Sequence, residues 1–334
     1  MKKTLLALAM LGSFGAASNA QAYAYAVAYN EITNLVISDN GNIAGSASVS
    51  NSSATACLPN GSCVTTGGAG ILNAAPALMG GPLVPAYVAD SYLTPSTHEG
   101  NAASFSLADA SIDSVQTSPG TFIRARSMAE GKLVQTNSAN ANAGNSSVSL
   151  LTSTFDVGSS GGQITFSFDA APYLRAFLSP GTVPVSLAQA LVAVNFNIVG
   201  DQANNVPASR GTVFNWAPDG VGGGVGGTTI TGGLEFADAF SLNTSISALP
   251  GAANPPDYNP LTCPIGSIAT GCFRATTDVL RRGTYTLNLV METRDNLLLQ
   301  AAEIPEPGSL LLLGIGLAAL GGVTRRRTAP AAAA

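Results

Sequence analysis

The stretch Ala22-Tyr23-Ala24-Tyr25-Ala26-Val27-Ala28-Tyr29 puts a large side chain at every second position, with alanine between. A period of two sends alternate residues to opposite faces of an extended chain, so this reads as a strand with its bulk on one face. Ile164, Phe166 and Phe168 repeat the pattern around Thr165 and Ser167, and Val194, Phe196 and Ile198 repeat it around Asn195 and Asn197. Tyr285, Leu287, Leu289 and Met291 form a fourth run. Weaker candidates cover residues 105–107, 148–155, 213–216 and 236–246. Asp39-Asn40-Gly41-Asn42 suits a tight hairpin, because Asn-Gly accepts the positive φ that such turns demand. Residues 158–162 are rich in Gly and Ser and likewise separate two strand-like stretches. Runs of this kind, punctuated by Gly, Pro and Asn, predict an all-β body: an antiparallel β-sandwich, jelly-roll-like.

Several segments depart from that period. Residues 123–133 contain few breakers and admit a short helix; residues 171–178, with Pro172 near the start, admit another. Residues 137–145 are low-complexity Ser/Ala/Asn/Gly and read as an exposed loop. Residues 62–70 and 220–233 read as glycine-rich loops.

Composition limits the function classes. Only 10 % of the 334 residues are charged, so amides and hydroxyls carry solubility, while 46 % hydrophobic content argues against disorder throughout. Lys and Arg number 14 against 19 Asp and Glu, and Lys132 is the one lysine beyond the N-terminus. That balance gives no electrostatic footprint for nucleic acid. The four cysteines fall in two close pairs, Cys57 with Cys63 and Cys263 with Cys272, each bracketing a turn-rich segment. Two local disulfides in an oxidising compartment are expected. The Cys-x-x-Cys or His spacing of a metal site is missing, so no metal is expected at these residues.

The two ends read as addresses. Lys2 and Lys3 precede an apolar stretch at residues 5–17, and Ser18-Asn19-Ala20 or Ala20-Gln21-Ala22 offers small residues for cleavage. This predicts a removable signal peptide over residues 1–22. At the other end Pro305-Glu306-Pro307 stands before an apolar run at residues 310–323, closed by Arg325-Arg326-Arg327. As a helix that run would be about 21 Å long, short against a hydrocarbon core of about 30 Å. The arginines would stop it on the cytoplasmic side. Proline on both sides of Glu306 keeps the tripeptide extended and outside the helix.

These three parts in order resemble the PEP-CTERM sorting signal of Gram-negative bacteria, whose proteins are processed by exosortase. Residues 328–334 run on past the point where such signals usually end. The resemblance covers the last thirty or so residues. It implies cleavage near Pro305-Glu306-Pro307 by exosortase and delivery to the cell surface or an extracellular polysaccharide matrix, as in a biofilm. The body is loosely similar to exosortase-dependent surface proteins through Gly211-Thr212-Val213-Phe214-Asn215-Trp216, Asp219-Gly220 and Gly283-Thr284-Tyr285-Thr286-Leu287. The expected organisation is a signal peptide at 1–22, a β-sandwich surface domain at 23–303 and a sorting signal at 304–334 with a C-terminal hydrophobic helix. Before processing, the chain would be held in the inner membrane through that segment.

Chemistry-bearing residues are sparse. His98 is the only histidine, beside Glu99 and near Ser96, but no Gly-x-Ser-x-Gly turn accompanies it, and residues 94–100 read as a polar loop. Gly222-Gly223-Gly224-Val225-Gly226-Gly227 matches a dinucleotide pattern formally but lacks the following helix. Asp109 with Asp113, or Asp39 with Asn40 and Asn42, are the nearest calcium candidates, and turn or solvation roles suit them better. A carboxylate pair for glycoside hydrolysis would meet only in space, and the sequence marks none. Trp216, the only tryptophan, alternates with Phe214 and reads as core, with a sugar-stacking platform as the other reading. Asn51, Asn60, Asn145 and Asn243 stand in Asn-x-Ser/Thr triplets, as a Ser/Thr/Asn-rich composition produces by itself.

No catalytic residue, cofactor or metal ligand is therefore assigned. Three functions are expected in order: a non-enzymatic surface or matrix protein sorted by its tail, a glycan-binding module of the same fold that engages exopolysaccharide, and a secreted hydrolase.

Overall fold

The computed structural model describes residues 22–40, 43–58, 61–69, 71, 74–80, 97–116, 121–134, 141–180, 182, 185–200, 211–221, 230–250, 257–260 and 272–300. Every regular element among them is a strand, and the strands form two antiparallel sheets. The nine-stranded sheet runs β13 (Gly233–Asp238), β16 (Phe273–Thr277), β8 (Ile164–Ala170), β1 (Tyr23–Asp39), β6 (Thr121–Val134), β5 (Phe105–Gln116) and β4 (Ala77–Met79). In the same sheet β9 (Tyr173–Leu178) pairs with β1, and β15 (Asp257–Tyr258) pairs with β9. The eight-stranded sheet runs β12 (Ile230–Thr231), β11 (Gly211–Trp216), β10 (Leu187–Gly200), β17 (Gly283–Leu299), β7 (Ala141–Val157), β2 (Ile43–Cys57) and β3 (Cys63–Ala69), with β14 (Thr244–Ala248) on β10. The expected signal peptide, apart from Ala22, and the C-terminal helix lie outside the described residues.

Five local expectations are corrected. Residues 123–133 belong to β6, paired with β1 on one side and β5 on the other. Residues 173–178 form β9, whose register runs from Ala24 against Leu178 to Tyr29 against Tyr173. Both lacked polar alternation because both of their faces meet other parts of the protein, which removes the signal separating strand from helix. Residues 63–69 form an edge strand, with Gly67 and Gly68 supplying the positive φ. Residues 141–145, read as the end of a loop, open β7. Residues 236–246 are two strands in different sheets, β13 and β14.

The turn at residues 39–42 is likewise not a hairpin, because β1 lies in one sheet and β2 in the other. Turn chemistry specifies a reversal, not the partner that follows it. Gly41 and Asn42 themselves lie outside the described residues.

The space between the sheets divides into three zones along the strands. At one end Phe166 and Phe168 meet Phe196, Phe214 and Trp216 across the gap, with ring centroids at 5.2 Å for Phe166–Phe196 and 5.7 Å for Phe168–Trp216. At the other end the filling is small: Ala24, Ala26 and Ala28 with Ala143, Ala176, Ala188 and Ala190, helped by Leu133, Leu174, Val192 and Leu297. Between these two zones lies a buried polar belt. On β17 it is Thr293 and Asp295, on β7 Asn145, Ser147 and Ser149, and on β1 Asn30. Asn145 Nδ2 donates to both Asp295 oxygens, at 2.9 and 2.7 Å, and to the Glu130 carbonyl at 2.9 Å, tying β7 to β17 and to β6 opposite.

The opening run thus forms the strand it predicts, with its faces used in an unexpected way. The alanines point between the sheets. Tyr25, Val27 and Tyr29 lie on the other face of β1 and pack with Phe105, Leu107 and Met128. They are buried even so, and residues 97–104 fold down over part of this face, meeting Tyr23, Glu130 and Lys132.

Replacing Trp216 with alanine should cost about 3–5 kcal/mol by leaving a cavity among the rings. Ala26→Leu should cost about 1–3 kcal/mol by overpacking the alanine zone. Equilibrium denaturation measures both, and a neutral Ala26→Leu would contradict the assignment of the alanines to the inter-sheet face.

Candidate functional site

Three polar assemblies stand out. The first holds the segment at residues 97–104 against the outer face of the nine-stranded sheet. Glu130, fully buried on β6, accepts the His98 main-chain N–H at 2.6 Å and the Tyr25 hydroxyl at 2.6 Å, and its other oxygen meets His98 Nδ1 at 3.0 Å. Lys132 Nζ donates to the Glu99 and Asn101 carbonyls and sits 4.4 Å from the centre of the Tyr23 ring. Arg175 Nη2 meets Glu99 at 3.0 Å. Burial lowers the Lys132 ammonium below the usual lysine range. His98, the one sequence candidate for a catalytic base, here clamps a covering segment to a buried carboxylate.

The second assembly lies where the chain passes from β12, the edge of one sheet, to β13, the edge of the other. Gly232 makes that passage at φ +72°, where an added Cβ would fall on the Val213 carbonyl oxygen. A β-bulge between Glu235 and Ala237 then shifts the strand's parity, so Glu235 and Asp238, three apart, turn to one side. Asp219, in the turn after β11, joins them: the three carboxylates each offer an oxygen, all within 4.8 Å of one another. Asp238 Oδ2 accepts the main-chain N–H groups of Asp219 and Gly220, each at 2.7 Å, and the indole N–H of Trp216 donates to Glu235. Burial, reinforced by the charges of Glu235 and Asp219, pushes the Asp238 carboxyl up to about 7 against those two hydrogen bonds. Burial also raises Glu235.

The third is a groove of about 480 Å³ on the outward face of the eight-stranded sheet. Cross-strand pairing sets Leu191, Arg294, Ser146 and Thr55 in one row and Gln189, Asn296, Gly144 and Cys57 in the next. The second row dips at Gly144, which has no side chain. Arg294 Nε pairs with Glu292, so the groove presents amides, hydroxyls and a neutralised guanidinium.

Cys57 and Cys63 form a disulfide, Cα–Cα 4.2 Å, that closes the β2–β3 hairpin. Cys272 is disulfide-bonded at the start of β16, and its N–H donates to Asp169 at 3.1 Å; Cys263 lies outside the described residues. Trp216 is fully buried and is no platform for a sugar. Asp109 is buried on β5 and Asp39 ends β1 in solvent, while Asn42 and the glycine run at 222–227 lie outside the described residues. Sequence reasoning missed the acidic trio. Its members come from two segments, and only the bulge aligns two of them.

Pro305, Glu306, Pro307, Arg325, Arg326 and Arg327 also lie outside the described residues. Residues 303–327 match the family model of the PEP-CTERM protein-sorting motif. A signal of this kind marks a secreted protein of the cell surface, processed by exosortase. None of the curated proteins and none of the solved structures matches the chain.

Burial raises Asp295 well above the usual carboxylate range and raises Glu31 despite the Arg124 guanidinium beside it. A carboxyl raised on folding holds its proton in the native state after the unfolded chain has released it. Stability from such groups is therefore full below the unfolded value and declines as pH rises through the native one. In metal-free buffer the protein should lose stability as pH rises from about 4 to about 7, the upper figure being the Asp238 value. Denaturation midpoints across that range check it, and a midpoint that climbs instead would contradict it.

Proposed function

We propose that the chain is a non-enzymatic protein of the cell surface or of an extracellular polysaccharide matrix. It is exported by a signal peptide at residues 1–22, held briefly in the inner membrane through residues 304–334, and cut near Pro305-Glu306-Pro307 by exosortase. The observation that carries this reading is the match of residues 303–327 to the sorting motif. The polar groups of the body also suit it: buried ones such as Asn145 and Asp295 knit strands together, and the outward ones are mostly uncharged. In its native host the protein should end near Pro305, and deleting exosortase or replacing Pro305, Glu306 and Pro307 by alanine should leave membrane-bound chain that keeps residues 308–327. Intact mass and C-terminal peptides decide this, and a tail cut equally well without exosortase would remove the proposal.

A second reading, a glycan-binding module, is favoured by the groove at Gly144. Planar amides and hydroxyls on a rigid sheet match the hydroxyls of a neutral sugar chain, and the volume is in the range of small-ligand sites. Gly144→Leu would fill the groove with little strain, since an added Cβ meets only the Asp295 carbonyl oxygen, at 3.8 Å. Retention on exopolysaccharide purified from the host should then fall about tenfold, a loss of about 1.4 kcal/mol. Unchanged retention would exclude the groove as the binding site.

A further inference from the structure

We propose that Asp219, Glu235 and Asp238 form a divalent-cation site of the calcium type, at the edge where the chain crosses between the sheets. The donor set is oxygen only, which selects hard cations such as calcium over zinc or copper. One oxygen from each carboxylate lies within 4.8 Å of the others, close enough for a single ion to meet all three.

A second observation bears on the ligand. Asp238 is 6 % exposed; its Oδ2 takes two main-chain N–H bonds, but its Oδ1 is buried without a hydrogen-bond partner. A buried carboxylate oxygen facing no donor is costly, and the neighbouring charges from Glu235 and Asp219 are of the same sign. The Glu235 and Asp238 carboxyls are close enough to bond when one of them carries a proton. A cation held between the carboxylates would offset the repulsion of their like charges. The scaffold is also set in advance. The indole N–H fixes Glu235, and the hydrogen bonds to Asp238 fix the Asp219-Gly220 turn.

The chain's single tryptophan, bonded to one of the three ligands, provides the test. Full-length protein stripped with EDTA is titrated with terbium, a hard oxygen-seeking ion, under excitation of Trp216. The expected result is saturable terbium emission that calcium displaces and magnesium displaces far less well. Asp219→Asn keeps an oxygen for the Val221 N–H, and Glu235→Gln keeps one for the indole. Each should weaken terbium binding about tenfold or more by removing a charge from the site. Calcium should raise the thermal midpoint of the unaltered protein by several degrees at neutral pH and leave that of the two variants in place. Emission from the unaltered protein that calcium does not displace would overturn the proposal and leave a proton shared between Glu235 and Asp238. An equal calcium shift in both variants would also overturn it, by placing the ion elsewhere. These outcomes are independent of sorting and of the Gly144 groove.

Discussion

What stands between two packed sheets sets how closely they approach, and here the filling changes from rings to alanines along the same strands. β1, β7 and β17 each pass through both zones, and each carries polar residues between them. Because β1 spends alanines on the inter-sheet side, its tyrosines must stand on the other side. There they would face water if nothing covered them. The clamp on residues 97–104 follows from that need. Glu130, His98 and Lys132 fasten a covering segment over a face that the alanine zone has pushed outward. At the ring-filled end the largest side chain brings a polar tip into the core. The indole N–H of Trp216 requires an acceptor, and Glu235 meets it from the opposing sheet's edge.

The polar belt between the zones is expensive to build, since each buried amide or hydroxyl needs a partner. Asn145 and Asp295 satisfy each other and bond the opposing strand, which fixes the register of β7 on β17 at the one level where hydrophobic filling is thinnest. A sheet slipped by two residues would keep its apolar face inward but would set Asn145 against Leu297 or Thr293 instead of Asp295. The belt thus distinguishes the native register from its nearest competitor.

The sequence made the strand content and the main core rings legible, because Phe166, Phe168, Phe196, Tyr285 and Leu287 alternate cleanly with Thr, Ser and Asn. Trp216 reads as core for the same reason, and it is buried. The helical readings of β6 and β9 failed where a strand is covered on both faces and alternation disappears. The orientation of β1 was hidden because size alone does not say which face of a strand another sheet will cover. The acidic trio was hidden more deeply: a bulge reverses side-chain parity, and nothing in Glu235-Phe236-Ala237-Asp238 announces one. The sorting tail was legible because its three parts are contiguous in the chain and need no folding to be recognised.

The place of β17 in the sheet matters for the order of events during export. It is the last strand of the described residues, yet it sits in the middle of its sheet, bonded along its whole length to β7 on one side and over residues 285–298 to β10 on the other. Until residues 283–299 have crossed the membrane, β10 and β7 have no common neighbour and the eight-stranded sheet is two separate pieces. The sorting motif begins at residue 303, only four residues beyond Leu299. Residues 300–302 alone therefore separate the strand that joins the two halves of this sheet from the address label.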